Sequence, residues 1–132
     1  MQIKRISQNK NQLGEGPWWN KKTNNLYWTD IIEGKLYSYN PKTKHETFKK
    51  FNGKLGCFVT CKNGSFLVGL DLSLFIYDPN TDEITKFLDL EDEPPENRIN
   101  DGTTDPYGRF WVGTMTAEGH TKKQTRSRYC HS

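Results

Sequence analysis

The sequence predicts an all-β chain. Three observations carry that expectation: short apolar runs between turn signals, a large share of aromatic residues, and no stripe of apolar residues at helical spacing. Aromatics make up 13% of the 132 residues, with four Trp, six Tyr and seven Phe. Flat, stiff side chains pack well on a pleated surface, so they favour strands. Hydrophobic residues reach only 33%. The core must therefore come from dense, short runs.

The runs follow in order. Leu26-Tyr27-Trp28-Thr29-Asp30 is the first, and Lys35-Leu36-Tyr37-Ser38-Tyr39 ends at the turn Asn40-Pro41-Lys42-Thr43. Phe58-Val59-Thr60-Cys61 precedes the turn Lys62-Asn63-Gly64, and Phe66-Leu67-Val68-Gly69-Leu70 follows it. Leu74-Phe75-Ile76-Tyr77 runs into Asp78-Pro79-Asn80-Thr81. The last is Arg109-Phe110-Trp111-Val112-Gly113, after Asp105-Pro106-Tyr107-Gly108.

These runs repeat. Leu36 to Thr43 resembles Leu74 to Thr81, 38 positions later, and Asn63 to Gly69 resembles Tyr107 to Gly113, 44 positions later. A period of about 40–45 residues built from short strands suits the blades of a β-propeller. Each blade buries its faces against its neighbours, and a ring of typically about four to eight blades closes the fold. The expectation is an N-terminal portion of two to three blades over residues 1–118. From Gly119 the strand pattern disappears, so 119–132 reads as a divergent, disordered tail, or as the mark of an incomplete gene model.

Charge and cysteines exclude several classes. Net charge is +3, from 19 basic and 16 acidic residues, which fits an ordinary solvated surface. A nucleic-acid partner needs a basic stripe. The one candidate, Lys122, Lys123, Arg126 and Arg128, reads as a frayed tail, so no nucleic acid is expected. Cys57, Cys61 and Cys130 are an odd number and do not suit a disulfide framework. Cys57 and Cys61 are expected as reduced, buried thiols on one strand face. The N-terminus lacks the apolar run of a signal peptide. No run approaches the ~20 apolar residues of a membrane span. The expected location is cytoplasmic, away from membranes.

Three segments could carry chemistry. In Leu13-Gly14-Glu15-Gly16-Pro17-Trp18-Trp19 a carboxylate stands between glycines that let the backbone approach closely. Its oxygens suit hard cations, although spacing alone favours Glu15 as an exposed turn residue. In Asn97-Arg98-Ile99-Asn100-Asp101-Gly102, alternation puts Arg98 and Asn100 on one side and Ile99 on the other. Arg and Asn can hold hydroxyls or a carboxylate of a polar ligand. Alternatively Asn100-Asp101-Gly102 makes a turn and Arg98 pairs with the acidic loop Glu91 to Glu96. Gly113-Thr114-Met115-Thr116-Ala117-Glu118 is the third segment, and Glu118 alone carries no specificity. His45, His120 and His131 lack metal-ligand spacing, and no nucleophile elbow, phosphate loop or zinc pattern is present.

Together and in this order, Gly14-Glu15-Gly16-Pro17, Arg98-Ile99-Asn100-Asp101-Gly102, Asp105-Pro106-Tyr107-Gly108-Arg109 and Gly113-Thr114-Met115 resemble the SMP-30/gluconolactonase/luciferin-regenerating enzyme family, which includes regucalcin. The similarity runs from Leu13 to Glu118 and corresponds to roughly the first third of a family member. The resemblance implies a six-bladed propeller with one divalent metal ion, Ca²⁺, Zn²⁺, Mg²⁺ or Mn²⁺, near the central channel. It assigns Glu15 to the metal and Arg98, Asn100 and Glu118 to the substrate. The family's Asn and Asp ligands come from later blades and have no counterpart here. That Asp is also the expected general base, so no catalytic group is assigned within this chain. The implied activity is hydrolysis of a small sugar lactone, with the cation polarising the carbonyl and a carboxylate activating water. On this reading the chain is truncated and inactive alone. The alternative is a calcium-binding regulatory protein of the regucalcin kind, or an inactive fragment.

Overall fold

The turn signals fold as Asx turns. The computed structural model describes residues 1–117 and the backbone of 126–130. Asn20 Oδ1 accepts the N–H of Lys22 at 2.9 Å, and Asn40 Oδ1 that of Lys42 at 2.9 Å. Asp78 Oδ1 accepts that of Asn80 at 2.8 Å, and Asp105 Oδ1 that of Tyr107 at 2.9 Å. A short polar side chain thereby stands in for a backbone carbonyl and reverses the chain.

The reversals build three antiparallel sheets. The first contains β1 (Gly14–Asn20), β2 (Asn25–Asp30), β3 (Lys35–Asn40) and β4 (His45–Lys50), in that order. The second contains β5 (Leu55–Thr60), β6 (Phe66–Leu70), β7 (Ser73–Asp78) and β8 (Glu83–Asp89), again in chain order. The third has β9 (Asn97–Thr104), β10 (Phe110–Thr116) and β11 (Arg126–Cys130), with β10 in the middle. No helix occurs among the described residues, and so none long and apolar enough to cross a membrane. Within the stretch read as a patternless tail, the backbone of Arg126–Cys130 pairs with β10, from Phe110 opposite Cys130 to Thr114 opposite Arg126. Backbone pairing of an edge needs no apolar pattern.

The second sheet is apolar on both faces because it is packed on both. Phe66, Val68 and Leu70 of β6 meet Leu36, Phe51, Leu55, Phe58 and Tyr77 between the first and second sheets. Leu67, the alternate residue, joins Cys57, Val59, Leu74, Leu90, Ile99, Phe110 and Val112 between the second and third. Period-two alternation sorts the residues of β6 into the two cores. In β5 the parity changes once: Leu55 and Phe58 share a core although they are three apart. The cause is a bulge at Gly56, skipped between the Leu55–Leu70 and Cys57–Gly69 pairs. An extra residue in one strand moves its successors to the other face.

Cys57 is buried as expected, but Cys61 is half-buried and stands in the turn after β5, not on its face. Its N–H donates to Ser65 O across that turn. The expected strand end therefore comes one residue early.

Candidate functional site

β1, β5 and β9 are the leading strands of their sheets, and residues from all three line one cavity of about 380 Å³. Each strand carries a bulge where it meets the cavity. In β1 the register shifts between Glu15 and Trp18, where Gly16 takes a φ of 59°. Gly56 is the skipped residue of β5, and Asn100 that of β9, between the Asp101–Gly113 and Ile99–Thr114 pairs. Gly16, Pro17, Gly56 and Asn100 all belong to the cavity wall. A bulge bends its strand and re-aims a side chain. The Asn-Asp-Gly segment is thus bulged strand, where the sequence also allowed a turn.

Glu15 is held at the cavity by its neighbours. The buried carboxylate of Asp30 accepts the N–H groups of Gln12 at 2.8 Å, Leu13 at 3.1 Å and Glu33 at 3.3 Å. Leu13 O accepts the N–H of Ile31 at 2.9 Å, and Thr29 Oγ1 donates to Glu15 O at 3.3 Å. Burial alone would raise the Asp30 pKa, but the three N–H donors outweigh it and hold the group below its ordinary value. The entry into β1 is therefore clamped, while the Glu15 side chain is exposed.

Arg98 and Asn100 behave differently from each other. Arg98 is 6% exposed and turns its guanidinium onto its own strand, donating to Ile99 O at 3.0 Å and Asn100 Oδ1 at 3.2 Å. Burial lowers its pKa below the ordinary arginine range. Arg98 lines a second cavity of about 390 Å³, with Lys54, Asp71 and Glu96. Asn100 lines the first cavity together with Glu15. With its Oδ1 engaged by Arg98, Asn100 offers its Nδ2 hydrogens to a ligand. Glu118 lies outside the described residues.

The sequence did not single out Asp101, Gly56, Thr29 or Cys57 for this cavity, yet all four line it. Asp101 sits in the Arg-Ile-Asn-Asp-Gly segment and was visible there. Gly56 and Thr29 gave no signal, because only the pairing of sheets brings them in. The Cys57 thiol is pushed up to about 12 by burial and by the Asp101 carboxylate, so it stays protonated.

Behind β9, Glu93 is buried and its Oε2 accepts Asn97 Nδ2 at 3.0 Å and Thr114 Oγ1 at 2.8 Å. That network ties the start of β9 to β10. As a metal centre the cavity offers hard oxygen donors, Glu15 and Asp101. No group of three or more His, Cys, Asp or Glu able to hold an ion occurs among the described residues. The donor chemistry fits a hard cation, but the described set is too small to enclose one.

Antiparallel blades set around bulged leading strands define the class of protein: a propeller-type all-β chain with an acidic and amide-lined cavity. A family model described as SMP-30/Gluconolactonase/LRE-like region matches residues 13–132, and the chain belongs to that family. It is 31% identical to 6-deoxy-6-sulfogluconolactonase of Pseudomonas putida over 113 residues, which is 86% of this chain and 39% of that protein. It is 29% identical to regucalcin of Xenopus laevis over 107 residues, 81% of this chain and 36% of that one. The crystal structure of a calcium-binding protein, regucalcin from Agrobacterium tumefaciens, superimposes with a TM-score of 0.78 at 28% identity, over 84% of this chain and 38% of that chain. The chain thus spans less than half the length of the relatives it matches.

Proposed function

We propose that this chain supplies part of a site for a small sugar lactone, with Glu15 as a metal ligand and Asn100 as a hydrogen-bond donor to the ligand. The observation that carries the reading is the cavity shared by Glu15, Asn100 and Asp101 on three leading strands. The family supports the lactone class, since its relatives include a sulfogluconolactonase. A sugar lactone presents a carbonyl and several hydroxyls. Asn100 Nδ2 donates to one ligand oxygen, and Asp101 accepts from a hydroxyl. Arg98 contributes through Asn100, whose amide it orients. A bound divalent cation would polarise the lactone carbonyl. Glu15 would give it one carboxylate oxygen, and the other ligands come from outside the described residues. Ca²⁺, Zn²⁺, Mg²⁺ and Mn²⁺ all accept such a donor, and the closed form of the fold on this reading is a six-bladed ring. A second reading, calcium binding without turnover, draws on the relative described as a calcium-binding protein.

A chimera tests both. Residues 13–117 replace the matching segment of the Pseudomonas putida lactonase, and gluconolactone hydrolysis is followed with a pH indicator. The expected result is metal-dependent hydrolysis, with kcat/KM lowered about 100-fold by Glu15→Gln and unchanged by Glu83→Gln on exposed β8. Calcium binding by calorimetry with no turnover would favour the second reading. Full activity in Glu15→Gln would remove Glu15 from the site.

A further inference from the structure

We infer that a second groove, at the ends of β1 and β5, binds a small planar aromatic anion. The groove has a volume of about 630 Å³, within the roughly 300–1,000 Å³ of small-molecule sites. Its aromatic wall is Trp18, Trp19, Tyr27 and Phe66. The Tyr27 ring lies 5.3 Å from Phe66 and 6.4 Å from Trp18, so the wall spans both sheets. Trp18 is 41% and Trp19 43% exposed, which leaves flat apolar faces in water. An aromatic ligand can cover them by offset or edge contacts.

The charge at the groove has one sign. Lys21, Lys22 and Lys62 line it, and no Asp or Glu does. Four other lysines are matched: Lys49 pairs with Asp82, Lys86 with Asp89, and Lys35 and Lys50 with Glu33. None of Lys21, Lys22 and Lys62 has an ion-pair partner among the described residues. Unmatched like charges around a low-dielectric wall concentrate anions. Residues from three hairpin turns, Lys21 to Thr23, Lys62 to Gly64 and Pro79 to Asn80, bound the groove. This inference does not rest on the lactone reading, although Trp18 and Thr60 line both cavities.

The test is calorimetric titration of the full 132-residue chain with 1-naphthoate, an aromatic carboxylate. The neutral 1-naphthalenemethanol and the non-aromatic cyclohexanecarboxylate serve as comparisons. Naphthoate should bind about tenfold more tightly than either. The triple variant Lys21→Ala/Lys22→Ala/Lys62→Ala changes only exposed turn residues. It should keep its circular dichroism, lose about tenfold in naphthoate affinity and bind the alcohol as before. Trp18→Leu should weaken both aromatic probes, and naphthoate should shift the indole N–H resonances of Trp18 and Trp19. Absent saturable binding, equal affinity for acid and alcohol, or an unchanged triple variant would each overturn the inference. Tighter binding of a glutamate-rich peptide than of naphthoate would overturn its small-molecule part.

Discussion

At the residue scale, Asp30 does for the candidate site what an ordinary turn could not. Its buried carboxylate gathers three backbone N–H groups, two of them from the segment that leads into Glu15. Those bonds favour the ionised carboxylate over the protonated one, so despite its burial the folded chain holds Asp30 below its ordinary value of 3.8. A depressed folded pKa means that the unfolded chain binds the proton first. The stabilisation is therefore fully present above 3.8 and is lost as pH falls through the lower folded value. The expected outcome is that Asp30→Asn is less stable than the parent near neutral pH, and that this gap narrows on acidification. Urea midpoints of both chains across that window measure it. A gap that stays constant to low pH would show that the carboxylate charge plays no part.

At the element scale, the leading strands were the least legible in the sequence and the most informative in the fold. β2, β3, β6, β7 and β10 follow dense apolar runs, and the sequence placed the first four to within a residue, while β10 runs three residues beyond the expected end at Gly113. β1 and β9 did not read as strands because Gly, Pro, Asn and Asp interrupt them. Their polarity belongs to the cavity they line, and their bulges suspend the alternation that makes a strand recognisable. β4 and β8 were hidden for a different reason: they are the outer strands, largely exposed, and bury no patterned face. The close approach of β5 to β9 depends on Gly56 in particular. A Cβ at Gly56 would collide with the Ile99 carbonyl oxygen, which is backbone and cannot rotate away. Gly56→Ala should therefore push the two strands apart and cost about 1–3 kcal/mol of stability. The comparison with Gly64→Ala separates close approach from chain flexibility, since Gly64 has a φ of 91° but nothing within 4 Å of its Cβ position. An unaltered denaturation midpoint in Gly56→Ala, with native circular dichroism, would refute the contact.

At the scale of the whole molecule, repetition was legible and the composition of the site was only partly so. The offsets of 38 and 44 residues anticipate the stacking of similar sheets. Glu15 and Asn100 could be picked out from their segments, but their meeting depends on which strands lead each sheet. Metal chemistry is decided at this scale too. A hard cation takes about six to eight oxygen ligands. The described residues bring Glu15 and Asp101 to the cavity, and among them no group of three or more His, Cys, Asp or Glu could hold an ion. The matched relatives are more than twice as long in sequence as the matched segment, which covers 39% of the first and 36% of the second. A cation held only by Glu15 and Asp101 would keep mostly water around it and would be poorly placed to polarise a carbonyl. The expected outcome is that the 132-residue chain hydrolyses gluconolactone no faster than buffer with added Ca²⁺, Zn²⁺ or Mn²⁺, and that Glu15→Gln does not change the rate. The same pH-indicator assay that reads the chimera measures it. Metal-dependent turnover by the chain alone, lost in Glu15→Gln, would mean that a complete metal shell assembles on these residues and that the account of the site given by Glu15, Asn100 and Asp101 is too small.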